Sequence, residues 1–344
     1  MSFTVDIHSH VLMPQTMNAA GAYGPELIRE PDGTGLFRIG KYEFRSKPGD
    51  GYILDERWHD PKARLADMDR NGIDVMGVSV SPLTYLYWAD PEIAVPFASI
   101  QNDSMSDFCA GNPDRLFYFA TIPLQDIAAS VREIDRAAAR GARGLNMGQT
   151  DVALGHMPDA EHFWPVYEAA ERHNLPILFH PYPPGIEHGT GENQLVWIAG
   201  YLAQSTMTGA AMLLGGVFDQ FPNLKIILPH GGGAMPYQWG RFDYAFERMR
   251  NVKAKYAPSH YKANIFYDSL VHDVRSRRHL VDFAGADQVL VGDNYMGWDA
   301  VDGFSMIREL NLPAADEEKI MGLNAARLFG LDPVRATAGR VTVA

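Results

Sequence analysis

Short apolar runs alternate with longer amphipathic stretches along most of the chain. Ile73 to Val80, Leu116 to Ile122, Ala142 to Met147, Leu175 to His180, Leu224 to Pro229, Ala263 to Asp268 and Gln288 to Gly292 each read as a buried strand. A further run, Thr4 to His10, brings the number to eight. Between them, helices are predicted over Pro61 to Asn71, about Pro91 to Gly111, Ile127 to Arg140, Ala160 to His173, Leu195 to Phe221, Tyr237 to Val252 and Val274 to Phe283, with a last one over Glu317 to Phe329. Strands that are apolar on both faces belong to parallel sheets covered by helices, and eight of them predict an α/β fold of the closed (β/α)8 TIM-barrel type. A doubly wound open sheet is the alternative.

Two stretches break the pattern. Residues 11–60 are rich in Gly, Pro and Tyr and carry turn signals at Pro31-Asp32-Gly33 and Gly49-Asp50-Gly51. Such an excursion directly after a strand predicts a lid without regular structure. Residues 335–344 read as a loose C-terminal extension to a single domain spanning 1–334.

Composition narrows the function. The formal charge of -12 argues against nucleic acid or an anionic membrane as the main partner. No apolar run is long enough to span a bilayer, the N-terminus has no signal-peptide pattern, and the single cysteine, Cys109, excludes an internal disulfide. Together these predict an unprocessed cytoplasmic protein.

The chemistry lies at strand ends. His8 and His10 are one residue apart, so both project from one face of their strand, a metal-ligand spacing. Strand five ends in His180, strand six in His230-Gly231-Gly232-Gly233, and strand eight in Gly292-Asp293-Asn294. In a barrel, C-terminal strand ends converge on one mouth, so four histidines and a carboxylate would meet there.

These residues resemble the amidohydrolase superfamily, in the branch of 2-amino-3-carboxymuconate-6-semialdehyde decarboxylase. The resemblance extends through Asp60-Pro61 with Arg64, Tyr87-Trp88-Ala89, Phe163-Trp164-Pro165, Gly240-Arg241 and Asn324-Ala325-Ala326-Arg327. It implies one divalent metal, zinc first with Mn, Fe or Co open, held by His8, His10, His180 and the strand-eight carboxylate. His230 becomes the acid/base. Relatives carry Gly-Thr/Ser-Asp at strand eight, which an ungapped alignment matches to Asn294. A one-residue shift restores Asp293, taken here as ligand and second proton carrier, with Asn294 beside the substrate. Arg241, offered to a neighbouring subunit in a homodimer or larger homo-oligomer, and Arg57, with Arg45 as competitor, are expected to bind substrate carboxylates. Trp88 would wall the site. The implied reaction is non-oxidative decarboxylation of an aromatic or muconate-type acid, with hydration or carbon-carbon hydrolysis of an unsaturated oxo-acid as the alternative. A metal-free binding protein on an enzyme barrel is the reading from another class.

Overall fold

The computed structural model describes residues 2–47, 52–149, 155–182 and 194–339. The eight barrel strands are β1 (Val5–Val11), β5 (Val75–Val80), β6 (Leu116–Thr121), β7 (Gly144–Gly148), β8 (Ile177–His180), β9 (Ile226–Leu228), β10 (Ile265–Asp268) and β11 (Val289–Leu290). They pair in that order, all parallel. The ring closes where Ile7 N donates to Val291 O at 3.0 Å and Tyr295 N to His8 O at 3.0 Å. This is a (β/α)8 TIM barrel.

Helices α1 (Pro61–Asn71), α2 (Pro91–Ala110), α3 (Ile127–Ala139), α4 (Trp164–Arg172), α5 (Tyr201–Leu214), α6 (Val217–Gln220), α7 (Met235–Arg248) and α8 (Val274–Ala284) surround it. The sequence signals that start and stop α1 act as expected. Asp60 accepts from Lys62 N, Pro61 opens the first turn, and Gly72 ends the helix at φ 71.

Inside the barrel, Val5, Ile7, Val75, Phe117, Phe119, Leu178, Ile227, Phe266 and Leu290 form one apolar cluster with Phe329 and Ala336. Small residues on neighbouring strands make room for the rings: a Cβ on Gly144 would lie 2.5 Å from Phe119, and one on Gly77 2.5 Å from Phe117. The C-terminal stretch expected to be loose instead contributes helix Pro333–Ala338, whose buried Ala336 joins this floor, and Gly339 O accepts from Arg115. Residues 340–344 lie outside the described residues.

The excursion after β1 is also more regular than expected. It folds into an antiparallel sheet of β2 (Glu26–Arg29), β3 (Gly35–Ile39) and β4 (Tyr42–Arg45). Its strands are short, and burial of Phe37 and Ile39 stabilises them rather than a long periodic pattern. The Pro31-Asp32-Gly33 turn joins β2 to β3, while the Gly49-Asp50-Gly51 turn lies outside the described residues.

Candidate metal centre

The first strand delivers its histidines by means of a bulge. Val5 and Ile7 point into the barrel with the floor cluster, so strict alternation would turn His8 outward. An extra residue in β1 opposite β5, where Asp6 pairs with Met76 and Ser9 with Val78, resets the phase. The His8 N–H at the bulge is taken up by the Asp6 side chain, Oδ1 accepting at 2.9 Å. The same oxygen accepts from Asp293 N at 3.1 Å. Burial pushes the Asp6 carboxyl up to about 7, against the lowering effect of these backbone donors.

The rim brings the histidines together. His8, His180 and His230 each offer a ring nitrogen, and the three lie within 4.8 Å of one another. His10 packs edge-on beside them, its ring centroid 5.3 Å from His8 and 5.0 Å from His180. The second ring nitrogen of two of these residues is committed. His8 Nδ1 donates to Asp268 Oδ2 at 2.7 Å, and His180 Nδ1 to the Pro181 carbonyl at 2.7 Å. With both rings neutral in these tautomers, the two Nε2 atoms turn lone pairs toward each other at 3.0 Å. Two lone pairs at that distance repel unless a proton or a metal ion lies between them. Two nitrogens bound at right angles about 2.1 Å from one ion are about 3.0 Å apart, so the donor set fits a divalent metal.

Burial, reinforced by the neighbouring imidazoles, holds His10 and His180 well below the usual histidine range. Burial, then the proximity of His8, depresses His230 to about 4. All three are thus neutral near pH 7, the form that binds metal or accepts a proton. His230 differs from the others because its buried Nδ1 has no hydrogen-bond partner among the described residues.

A cavity of about 650 Å³ opens above the rim. Its floor is His10, His180, His230 and Asn294; one wall is Phe37, Phe44, Ile53 and Trp58 from the insertion, and another is Trp197, Ile198 and Tyr201. Phe44 of β4 meets Trp197 edge-on at 6.0 Å across the mouth. Arg45 and Glu43 are the charged residues among its lining.

Several expected residues stand elsewhere. Asp293 does not join the converging group. Gly292 faces the rim, where a Cβ would fall 2.9 Å from His8, and Asp293 after it points out, its Oδ1 accepting from Gly303 N at 2.8 Å. Burial and the Asp6 carboxylate raise its affinity for a proton well above the ordinary range. Asn294 occupies the rim instead, its Oδ1 3.0 Å from His10 Nε2. Arg57 is turned from the cavity and paired with Asp55 at 2.6 Å and Asp67 at 3.3 Å. Trp88 packs on Tyr42 of the insertion, ring centroids 5.8 Å apart, and does not line the cavity. Arg241 is exposed on α7.

Asp268 went unrecognised from sequence as a functional residue. It ends β10 fully buried, accepts from His8 Nδ1 and Gly231 N, and orients the first metal-type ring. A carboxylate closing a strand that reads as apolar was the available signal.

A (β/α)8 barrel with strand-end imidazoles converging beneath a deep cavity defines the class of metal-dependent barrel enzymes. Residues 5–331 match the Amidohydrolase family model, and the chain belongs to that family. It is 27% identical to the 2-amino-3-carboxymuconate-6-semialdehyde decarboxylase of Dictyostelium discoideum over 96% of this chain and 93% of that protein. Over 60% of this chain and 61% of the relative, it is 29% identical to a 2-keto-4-carboxy-3-hexenedioate hydratase of Sphingobium. Among solved structures, the 5-carboxyvanillate decarboxylase of Sphingomonas paucimobilis superposes with a TM-score of 0.79 at 25% identity, covering 96% of this chain and all of that one (100%). A Polaromonas dihydroxybenzoic acid decarboxylase with bound manganese and an inhibitor shares the fold at a TM-score of 0.78 and 21% identity, over 96% and 97% of the two chains. No helix among the described residues is long and apolar enough to cross a membrane.

Proposed function

We propose that this protein is a metal-dependent, non-oxidative decarboxylase of an aromatic or muconate-type carboxylic acid. The observation that carries the reading is the pair of Nε2 atoms of His8 and His180, 3.0 Å apart under an aromatic-walled cavity, with the Nδ1 of each ring already hydrogen-bonded. His10 joins them as third ligand. Ser79 donates to the Ser9 carbonyl at 3.0 Å, so its oxygen can accept from His10 Nδ1 at 3.3 Å, and in that tautomer His10 Nε2 presents a lone pair to the metal. A divalent ion at this site, zinc by the chemistry of the imidazole donors or manganese as in the Polaromonas relative, would polarise a substrate oxygen and steady the departing carboxylate.

The chain's own groups do the rest. Phe44, Trp197 and Trp58 hold a planar acid over the rim and exclude water, and the insertion acts as a lid. Arg45 lines the mouth, hydrogen-bonded to Glu30 at 2.6 Å, and meets a second carboxylate of the substrate. His230, whose Nδ1 has no partner among the described residues, moves the proton. The arriving anion raises its proton affinity, so it takes up a proton from solvent, and because burial weakens its hold on that proton it passes it on readily. It delivers that proton to the carbon that carried the carboxylate, the carbon-carbon bond breaks, and carbon dioxide leaves.

Two features favour a second reading, hydration. Asp293 is turned away from the rim, so the strand-eight carboxylic acid expected there as a proton carrier is not, and the Sphingobium relative is a hydratase. The test is product mass after incubating metal-loaded protein with benzoate, phenolic and muconate acids. Loss of carbon dioxide is expected; gain of one water would replace decarboxylation with hydration, and no turnover of any acid by protein that binds metal would remove both.

The surface of α7 favours a homodimer. Arg241 is exposed there beside Tyr237 and Tyr244, which are 77% and 59% exposed, and a second copy would cover them. Sedimentation at micromolar concentration distinguishes dimer from monomer.

A further inference from the structure

Asn294 stands at the rim where an acid was expected, and its surroundings are built around its amide. Its backbone is left-handed, φ 47, a conformation that Asn adopts more readily than most residues. Gly297 N donates to Asn294 O at 2.6 Å, closing a tight turn. The side chain curls back over that turn into space only glycine leaves: a Cβ on Gly297 would fall 2.3 Å from the amide carbon, nitrogen and oxygen of Asn294. Asn294 Nδ2 donates to Asp299 Oδ1. A carboxylate can only accept, so the amide is oriented with Oδ1 toward the histidines, 3.0 Å from His10 Nε2. With His10 protonated on Nδ1, toward the Ser79 oxygen, that nitrogen also carries a lone pair. Here, as between His8 and His180, two acceptors are held at the separation that two ligands of one ion adopt.

We propose that Asn294 Oδ1 is the fourth protein ligand of the metal and that Asp299 supplies, through the amide, the negative charge that a direct carboxylate would otherwise bring. An amide whose N–H is held by a carboxylate is polarised so that its oxygen gains electron density, and outer partners of this kind tune both affinity and geometry. Asp299 is itself steadied by His272 Nε2 at 3.3 Å. A neutral inner shell draws less charge onto the ion and leaves it a stronger Lewis acid than one with a direct carboxylate.

This inference rests on the metal reading above, and the experiment separates the two. Metal-free full-length protein is titrated with Zn²⁺ and with Mn²⁺ against a chromophoric chelator, and bound metal per chain is measured by elemental analysis. Asp299→Asn is expected to weaken binding about 10–100-fold. Asn294→Ala should weaken it at least as much. The swap Asn294→Asp/Asp299→Asn, which moves the charge to the inner position, should restore wild-type affinity or better. Recovery by the swap also shows that the single change had not acted through misfolding. If Asp299→Asn and Asn294→Ala bind within twofold of wild type while His8→Ala binds no metal, the Asn294 assignment is overturned and the metal site stands. If wild type takes up no stoichiometric ion, the metal reading fails and the assignment with it.

Discussion

Inside one barrel, Phe119 near the floor and His8 at the rim are both completely buried, yet different demands hold them there. Phe119 packs against Phe117 and Phe329, centroids 5.5 and 5.4 Å away, in a space shaped by glycines on the adjacent strands. Its requirement is volume, which several side chains of similar size satisfy. His8 requires partners. One nitrogen needs Asp268, the other needs an ion, and even its backbone N–H needs the Asp6 side chain. The floor stores folding free energy in forgiving form; the rim holds polar groups whose arrangement is worth something only when every partner is present.

This contrast is open to direct attack. The largest effect is expected from His8→Ala, which should remove stoichiometric metal and lower turnover at least about 10³-fold, while the thermal midpoint of the metal-free protein stays near that of metal-free wild type. A variant that keeps its metal would break the contrast at the rim. Phe119→Ala should act oppositely, costing about 3–5 kcal/mol in denaturant unfolding through the cavity it leaves, with the metal affinity of the folded fraction unchanged. If affinity falls in parallel, floor and rim are one cooperative unit. Asp268→Asn keeps the shape and removes the charge facing His8 Nδ1; metal affinity should drop about 10–100-fold, measured by chelator competition. The smallest effects compare two arginines. Arg45→Ala should raise KM for a dicarboxylate about tenfold with kcat little changed, a modest loss because its side chain is half exposed at 51%. Arg57→Ala, which breaks pairs with Asp55 and Asp67 away from the cavity, should leave KM within about twofold.

Much of this was legible beforehand. The eight apolar runs became the eight strands, and α1 begins and ends where Asp60, Pro61 and Gly72 mark it. The histidines at positions 8, 10, 180 and 230 do gather at one mouth, since a parallel barrel leaves strand C-termini nowhere else to converge. Periodicity failed in the insertion, where four- and five-residue strands are too short to announce themselves and Pro-Gly punctuation dominates. Loose alignment with relatives put Arg57 and Trp88 at the cavity, whereas Asp55 and the Tyr42 ring hold them elsewhere.

By itself, then, the chain's order of residues determined the strand and helix sequence, the barrel, and which end of it carries chemistry, because these follow from local periodicity and from rules of chain connection. Tertiary structure alone decided which face each residue presents. The bulge at Asp6 to Ser9 turns His8 inward, and beyond β11 the chain sends Asp293 out and, through a left-handed turn, brings Asn294 to the rim. Side-chain facing has a period of two, so one residue's slip in pairing reverses it, and that slip is set by neighbouring strands tens to hundreds of residues away.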